Sequence, residues 1–507
     1  MSRSGRSATT AIAIAASVAL LASLGGCAAG AHGADGGVYR VPISAPGSQI
    51  DPLTASDQYA LAITGLVTEP LASLDADGVL HPRLATQWSA SADGLTWTVE
   101  LRPEARFNDG EPVTATDVVW TFESIIDEES PSPGQTSFAG VLEAIEATDE
   151  LSVDFVLSRP FSDFPLLFTG PNTGILPDGY TPGSWLEEPV GAGQFLLTDY
   201  TIGQGATYVK NPDYWNADEI LLDGVELKIY ADAQAQLLAF QAGDIDRIGL
   251  TAEVASTIDL ADYDVISSGF NRFDALVFDV TAPPFDDETA RQAVAWAIDR
   301  PALIEAVYFG NADVANDTTF FPDYEPKPQG LQQRTQDLDR VEELRAGRTF
   351  RFTITTSYQL LGEVIQQQLN AVPGFDVSLD VMTTEEYYAD GDVVPWLQAP
   401  VTATSWAKRA PTQYLAAMYA AGSDWNASHY DNPELEELAA GFDATTDPVQ
   451  RQALVDEIGR IQWSEVPAII PAYSKSQAVQ STRVEGEFAG PLDFYTGYDF
   501  SGISVER

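Results

Sequence analysis

The chain has 507 residues, of which 45% are hydrophobic and 10% aromatic, so it can bury a large core divided between two or three lobes. Its 26 Lys and Arg face 75 Asp and Glu, which gives a formal net charge of −49. Such a charge argues against a nucleic acid partner, because phosphates need a basic surface, and it is typical of a protein kept soluble outside the cell.

The first residues predict a secretory signal peptide. Arg3 and Arg6 precede an uncharged apolar stretch from residue 11 to 24, and small residues follow it. This stretch is shorter than the roughly 20 residues that span a bilayer. A signal peptide over residues 1–26 is therefore favoured over a permanent transmembrane helix.

Cys27 is the only cysteine, so no disulfide can form within the chain. The segment LGGC at 24–27 resembles a bacterial lipobox, in which the thiol is joined to diacylglycerol and the peptide is cut before the cysteine. Two or more acyl chains give stable anchoring to a membrane. The alternative is a chance cysteine in an ordinary signal peptide. Residues 27–37 are predicted to be the lipidated cysteine and a flexible tether.

From Val38 onward, β-like and helical runs alternate without tandem repeats, which indicates an α/β fold. The alternating pattern at 95–101 follows an Asp-Gly turn and predicts one strand of a hairpin. A helix capped by Thr114 or Thr116 is expected to extend to about Ile126.

Similar signals mark the later helices. Asp232 and Gly243 fit the beginning and end of one helix, while Asp287 and Asp299 fit the beginnings of two more. Helices are also expected at 431–441 and 447–463, and a strand at 273–280.

One long segment carries a family resemblance. Residues 91–125, SADGLTWTVELRPEARFNDGEPVTATDVVWTFESI, resemble the signature region of the peptide- and nickel-type extracellular solute-binding proteins that feed ABC importers, family 5. Further similar segments follow the family's order, at 50–53, 71–88, 189–197, 210–215, 283–308 and 432–473. The resemblance covers most of the chain after residue 38.

This resemblance implies an α/β, two-lobed, periplasmic-binding-protein-like clamshell of type II with an extra subdomain in lobe 1. The chain is expected to cross the hinge near 273–280 and near 471–480. The implied bounds are 38–276 and 479–507 for lobe 1, 76–186 for its subdomain, and 277–478 for lobe 2.

The resemblance also implies a function. A monomer would capture a small ligand, a peptide or peptide-like solute, between its lobes and deliver it to the permease subunits of an ABC importer. It would be lipid-anchored and extracytoplasmic, with no cofactor and no metal. Alternatives are the same fold binding a non-peptide solute, such as an oligosaccharide, an opine or another anionic metabolite, or acting as a sensor or chaperone.

A secreted hydrolase is the remaining alternative. The chain contains no serine nucleophile elbow, and its histidines are only three: His32, His81 and His429. His429 has no second histidine or cysteine nearby, so a metal site is not expected there.

The loop at 406–411 departs from the family pattern. Peptide-binding members hold the ligand's amino group with an Asp in a W-x-x-D-like loop, but this chain has Lys408 and Arg409 after Trp406. In a desolvated cleft, a cation repels an ammonium group and attracts a carboxylate or phosphate. We therefore expect weak or no binding of ordinary free-amine peptides. The alternative is that both cations are solvated loop charges.

Other candidates for the cleft are aromatic or polar. Tryptophans outside the segments that resemble regular core could form its walls. Arg272 could pair with a ligand carboxylate or simply hold Asp274. The full set of candidate ligand-binding residues is Phe138, Trp185, Asn271, Arg272, Trp396, Trp406, Lys408, Arg409, Trp425 and Tyr495.

Overall fold

The computed structural model describes residues 36–506, apart from 76, 77, 128, 129, 131, 390–393 and 487–496. The predicted signal peptide, the predicted lipidation site Cys27, residues 28–35 and the candidate Tyr495 lie outside the described residues. Across the described part, no helix combines the length and apolarity needed to span a membrane.

Strands and helices are mixed along the chain, which confirms the α/β prediction. The strands are β1 Val38–Ile43, β2 Ala72–Leu74, β3 Leu80–Pro82, β4 Ala85–Ala90, β5 Thr96–Leu101, β6 Leu142–Asp149, β7 Ser152–Leu157, β8 Phe195–Thr201, β9 Gly205–Lys210, β10 Gly224–Ile229, β11 Arg247–Gly249, β12 Asp264–Phe278, β13 Ala312–Val314, β14 Phe350–Thr356, β15 Phe375–Val381, β16 Val401–Ala407, β17 Ala468–Gln480, β18 Val484–Glu485 and β19 Ser504–Val505.

The α-helices are α1 Gln58–Gly65, α2 Ala115–Ile126, α3 Gln135–Phe138, α4 Ala233–Ala242, α5 Ala252–Thr257, α6 Glu288–Ala297, α7 Arg300–Tyr308, α8 Leu338–Arg345, α9 Gln359–Asn370, α10 Thr384–Tyr387, α11 Pro395–Gln398, α12 Pro411–Tyr414, α13 Pro433–Asp443 and α14 Pro448–Glu465. Short 3₁₀ helices cover Phe164–Thr169, Ala217–Glu219 and Leu260–Asp262, and a π-helix covers Leu415–Tyr419.

Side-chain caps begin the predicted helices. The carboxylates of Asp232, Asp287 and Asp299 accept hydrogen bonds from backbone amides in the first turns of α4, α6 and α7. Gly243 ends α4 in the left-handed conformation, at φ 74°. These local predictions are confirmed.

The first sheet has the strand order β1-β10-β9-β8, with β1 parallel to β10. Its core also contains residues from the C-terminal ribbon of β18 and β19, including Phe500, whose ring centroid lies 6.0 Å from that of Tyr39. The amide of Val505 donates to the carbonyl of Gly36 at 3.1 Å. Gly36 and Gly37 are buried, so the expected flexible tether cannot include them.

The second sheet is antiparallel, in the order β4-β5-β7-β6, and packs against α2. Its core is aromatic: Phe122 on α2 and Phe155 on β7 meet edge to face at 5.1 Å between ring centroids. The 3₁₀ helix 164–169 contributes Phe164 and Phe168 to the same core.

The large sheet has the order β11-β17-β12-β16-β14-β15, with β13 paired to β17. Strands β12 and β17 pair along most of their length, with register shifts between Ser267 and Arg272. The predicted hinge crossings at 273–280 and 471–480 overlap these two strands. The residue bounds of the lobes stay a prediction.

Candidate functional site

Three neighbouring strands of the large sheet end at one edge. Because β14 is parallel to both β15 and β16, their carboxyl ends lie together. In open α/β sheets, ligands bind outside such carboxyl ends. Tyr358 follows β14, Tyr388 follows β15, and Lys408 and Arg409 follow β16.

Three tryptophans gather beside this edge, and we call Trp396, Trp406 and Trp425 the tryptophan cluster. Their ring centroids are 5.9 to 6.4 Å apart. Trp406 is buried, Trp396 is half-buried, and Trp425 remains 45% exposed. The cluster therefore presents aromatic surface that a planar or apolar ligand group could cover.

The two cations of the loop have different partners. The ammonium of Lys408 is 2.5 Å from a carboxylate oxygen of Asp323, and its backbone amide donates to the carbonyl of Asn271 at 2.7 Å. The guanidinium carbon of Arg409 lies 5.0 Å from the ring centroid of Trp425. Within the described part of the chain, Arg409 makes no ion pair. Arg409 is thus the loop cation whose charge a ligand could neutralise.

A line of hydroxyl groups borders the cluster. The Tyr358 and Tyr388 hydroxyls are 3.1 Å apart, and that of Tyr388 is 3.2 Å from the hydroxyl of Thr404. The Tyr388 ring lies 5.8 Å from Trp396. Burial raises the pKa of Tyr358, so its hydroxyl stays protonated and can both donate and accept. Neither tyrosine is among the residues predicted from the sequence.

A family model matches this chain over residues 79–429, under the description bacterial extracellular solute-binding proteins, family 5 middle. The chain belongs to this family.

Full-length relatives agree with that assignment. The dipeptide-binding protein DppE of Bacillus subtilis is 24% identical over 472 residues, which cover 84% of this chain and 85% of DppE. The glutathione-binding protein GsiB of Escherichia coli O6:K15:H31 is 25% identical over 479 residues, covering 90% and 92%.

A solved structure shows the same fold. The crystal structure of the ABC transporter substrate binding protein CtaP from Listeria monocytogenes matches with a TM-score of 0.78 and 24% identity, over 93% of this chain and 99% of CtaP. The two-lobed fold is confirmed. Membership in this family confirms the prediction that the chain is a solute-binding protein and not a hydrolase. It also confirms the prediction that the protein acts outside the cytoplasm.

In this family 5 protein, β12 supplies the predicted Asn271 and Arg272. The Asn271 side chain donates to Ser476 at 2.5 Å and accepts from Ser474 at 3.0 Å, so it ties β12 to β17. Arg272 is 44% exposed, and its nearest carboxylate oxygen, on Asp274, is 3.8 Å away. Arg272 therefore retains donors that a ligand could use.

Two predicted cleft residues of this family 5 protein lie in cores instead. Phe138 is 1% exposed and packs against Phe122 at 5.4 Å between ring centroids. Trp185 is fully buried, and its indole N–H donates to the carbonyl of Val190 at 3.0 Å. The interpretation of Trp185 as an aromatic outside the core is wrong, and neither residue offers surface to a ligand. Trp406 is also a core residue, although it adjoins the exposed Trp425.

A cavity of about 310 Å³ lies beside the helical segment that follows the loop. It is lined by the helical segment 411–419, by α13 and by Arg159, which follows β7. Its lining residues are Arg159, Thr412, Leu415, Ala416, Tyr419, Ala420, Leu435, Glu436, Ala439, Ala440 and Asp443. The π-helix in this segment widens the turn, a feature often found beside functional sites.

Metal-ligating side chains do not cluster in the described residues, where no group of three or more His, Cys, Asp or Glu is placed to hold an ion. His81 lies 2.7 Å from a carboxylate oxygen of Asp75 at the surface.

Proposed function

We propose that this family 5 protein is the solute-binding subunit of an ABC importer. It captures a peptide or peptide-like solute between two lobes, with the bounds given above, and delivers it to the permease. Family membership over residues 79–429 carries this proposal, and relatives named for dipeptide and glutathione binding support the peptide class. In this mechanism, contacts to both lobes favour the closed state, which the permease recognises.

Arg409 indicates which chemical group the ligand presents to the site. Asp323 neutralises Lys408, whereas Arg409 is held against the face of Trp425 without an ion pair among the described residues. A guanidinium stacked in this way keeps its N–H edge available for a carboxylate. The proposed ligand therefore presents a carboxylate to Arg409 and an apolar or planar group to the tryptophan cluster.

A non-peptide solute is the second candidate. The loop at 406–411 contains two cations and no acid, so it offers no counter-ion of its own to a ligand ammonium. An opine or another anionic metabolite meets this constraint, and an oligosaccharide could stack on the tryptophans without using Arg409.

Native mass spectrometry of a form that begins at Ala28, secreted by its own cells and therefore free of the predicted lipid, tests the function. We expect a monomer that carries a peptide or peptide-like solute with a free carboxylate. A single opine-like metabolite would favour the second candidate. An empty protein that turns over a substrate would contradict the proposal.

We further propose that Cys27 is lipidated and anchors the protein. Cys27→Ser is expected to move the protein from the membrane fraction to the soluble extracytoplasmic fraction, because the thioether to diacylglycerol cannot form. Cell fractionation and the mass of the mature N-terminal peptide measure this. Ala28→Ser is the matched control and should stay in the membrane fraction. Membrane retention of Cys27→Ser at the level of the unmodified protein would contradict lipid anchoring.

A further inference from the structure

We call the second sheet with α2 and the 3₁₀ helix 164–169 the second-sheet body, and the large sheet with α6–α9, α13 and α14 the large-sheet body. A loop of the second-sheet body contacts the large-sheet body. Residues 159–163 connect β7 to the 3₁₀ helix 164–169 and reach the C-terminal end of α13. The Ser162 amide donates to the carbonyl of Asp443 at 2.8 Å, and its hydroxyl donates to the carbonyl of Phe442 at 3.1 Å. An Arg159 N–H donates to the Asp443 carboxylate at 2.7 Å. These partners are 280 or more residues apart in the chain.

The deepest part of the contact is ionic. Both oxygens of the Asp163 carboxylate accept from the other body, one from Arg451 at 2.7 Å and one from the Tyr324 hydroxyl at 2.5 Å. Arg451 also donates to the Ser162 hydroxyl oxygen, and its guanidinium carbon lies 3.9 Å from the ring centroid of Phe442. The Asp163 and Arg451 side chains are only 11% and 10% exposed.

Burial in this contact shifts the pKa values of two carboxyl groups. Desolvation raises the pKa of Asp163, although Arg451 and Tyr324 oppose the rise. Desolvation likewise raises the pKa of Asp443 to about 6, against the opposing effect of Arg159. Arg451 and Arg159, each supplied from across the contact, therefore favour the ionised forms of Asp163 and Asp443.

Separation of the two bodies would return these groups to water. Asp163 lies on a loop and Arg451 near the beginning of α14, so each can be hydrated without unfolding its own body. A buried ion pair that can be rehydrated in this way provides a stabilisation small enough to be reversed by domain motion.

We propose that the 159–163 loop and the residues Tyr324, Phe442, Asp443 and Arg451 form a latch that holds the second-sheet body against the large-sheet body in the ligand-free protein. The latch biases the two lobes toward their docked arrangement before any ligand is bound. This inference needs only the two-lobed fold, so it stands apart from the identity of the ligand.

Interlobe distances test the latch. The mature chain after Cys27 contains no cysteine, so spin labels can be placed at Glu146→Cys on β6 and Asp339→Cys on α8, both exposed. We expect the ligand-free protein to show a short, docked distance by double electron–electron resonance. Arg451→Met and Asp163→Ala, which remove the latch from opposite sides, should each lower the ratio of docked to separated molecules by about tenfold or more.

The matched control is Arg460→Met, in the same helix. Arg460 is 49% exposed and pairs with Glu457 and Glu434 of its own body, so this variant should keep the docked distance. Circular dichroism establishes that each variant is folded, and two variants on different bodies guard against local damage. Unchanged distance distributions in both latch variants would overturn the proposal.

Discussion

Replacing Asp317 by asparagine is expected to lower the free energy of unfolding by about 3–5 kcal/mol. Asp317 is fully buried with two arginines, Arg300 and Arg334, that are fully buried as well. Arg300 donates to both carboxylate oxygens at 2.8 Å, and Arg334 donates to one of them. Without the carboxylate, both arginines would remain buried, with no other ion-pair partner among the residues that the structure describes.

The same carboxylate joins three parts of the large-sheet body. Besides α7 and the segment before α8, it accepts from the Ile470 amide of β17 at 2.9 Å. Asparagine is the appropriate replacement because Asp317 has φ 60°, a left-handed conformation that asparagine also tolerates. The loss therefore reports on charge rather than on backbone strain.

Urea unfolding followed by tryptophan fluorescence measures the change in stability. Asp376→Asn serves as the control, since its partner Arg351 is 79% exposed and a solvated pair contributes little. Equal effects of the two substitutions would contradict the assignment of the stability to the buried triad.

The second large effect concerns ligand affinity. Arg409→Gln is expected to weaken binding of the carboxylate ligand by about 10- to 100-fold, because a charge-assisted hydrogen bond in a desolvated site is lost. Arg409→Lys should recover only part of this, since an ammonium keeps the charge but not the planar fork. Isothermal titration calorimetry with the ligand identified by mass spectrometry gives the dissociation constants.

A double-mutant cycle isolates the contact. The ligand with its carboxylate converted to an amide should bind the unmodified protein weakly but lose little more in Arg409→Gln. Arg351→Gln, on β14 but near its amino end, is the control for net charge and should bind like the unmodified protein. Equal affinity of Arg409→Gln and the unmodified protein would contradict the role of Arg409.

Local signals made much of the fold predictable. The aspartates that begin α4, α6 and α7 act within one helical turn, and the alternation of β5 lies within seven residues, so each can be recognised without tertiary information. The family resemblance supplied the two-lobed arrangement, which no local pattern contains.

The site was less predictable because it depends on contacts between distant residues. Lys408 pairs with Asp323, which lies 85 positions away in the chain. No local pattern could therefore predict that the charge of this lysine is neutralised. Tyr358 and Tyr388 could be recognised only after β14, β15 and β16 were known to be parallel neighbours. Trp185 lies between turns, and only the packing of the first core shows that it is buried.

Residues of the C-terminal ribbon complete the core of the first sheet. Tyr39 of β1 packs on Phe500, and Gly36 is bonded to Val505. A ribosome releases the N-terminal strand first and the C-terminal ribbon last, so this core cannot close during most of synthesis. The core around β1 is therefore incomplete until the C-terminal ribbon is available, and until then β1 presents an apolar surface that chaperones can shield.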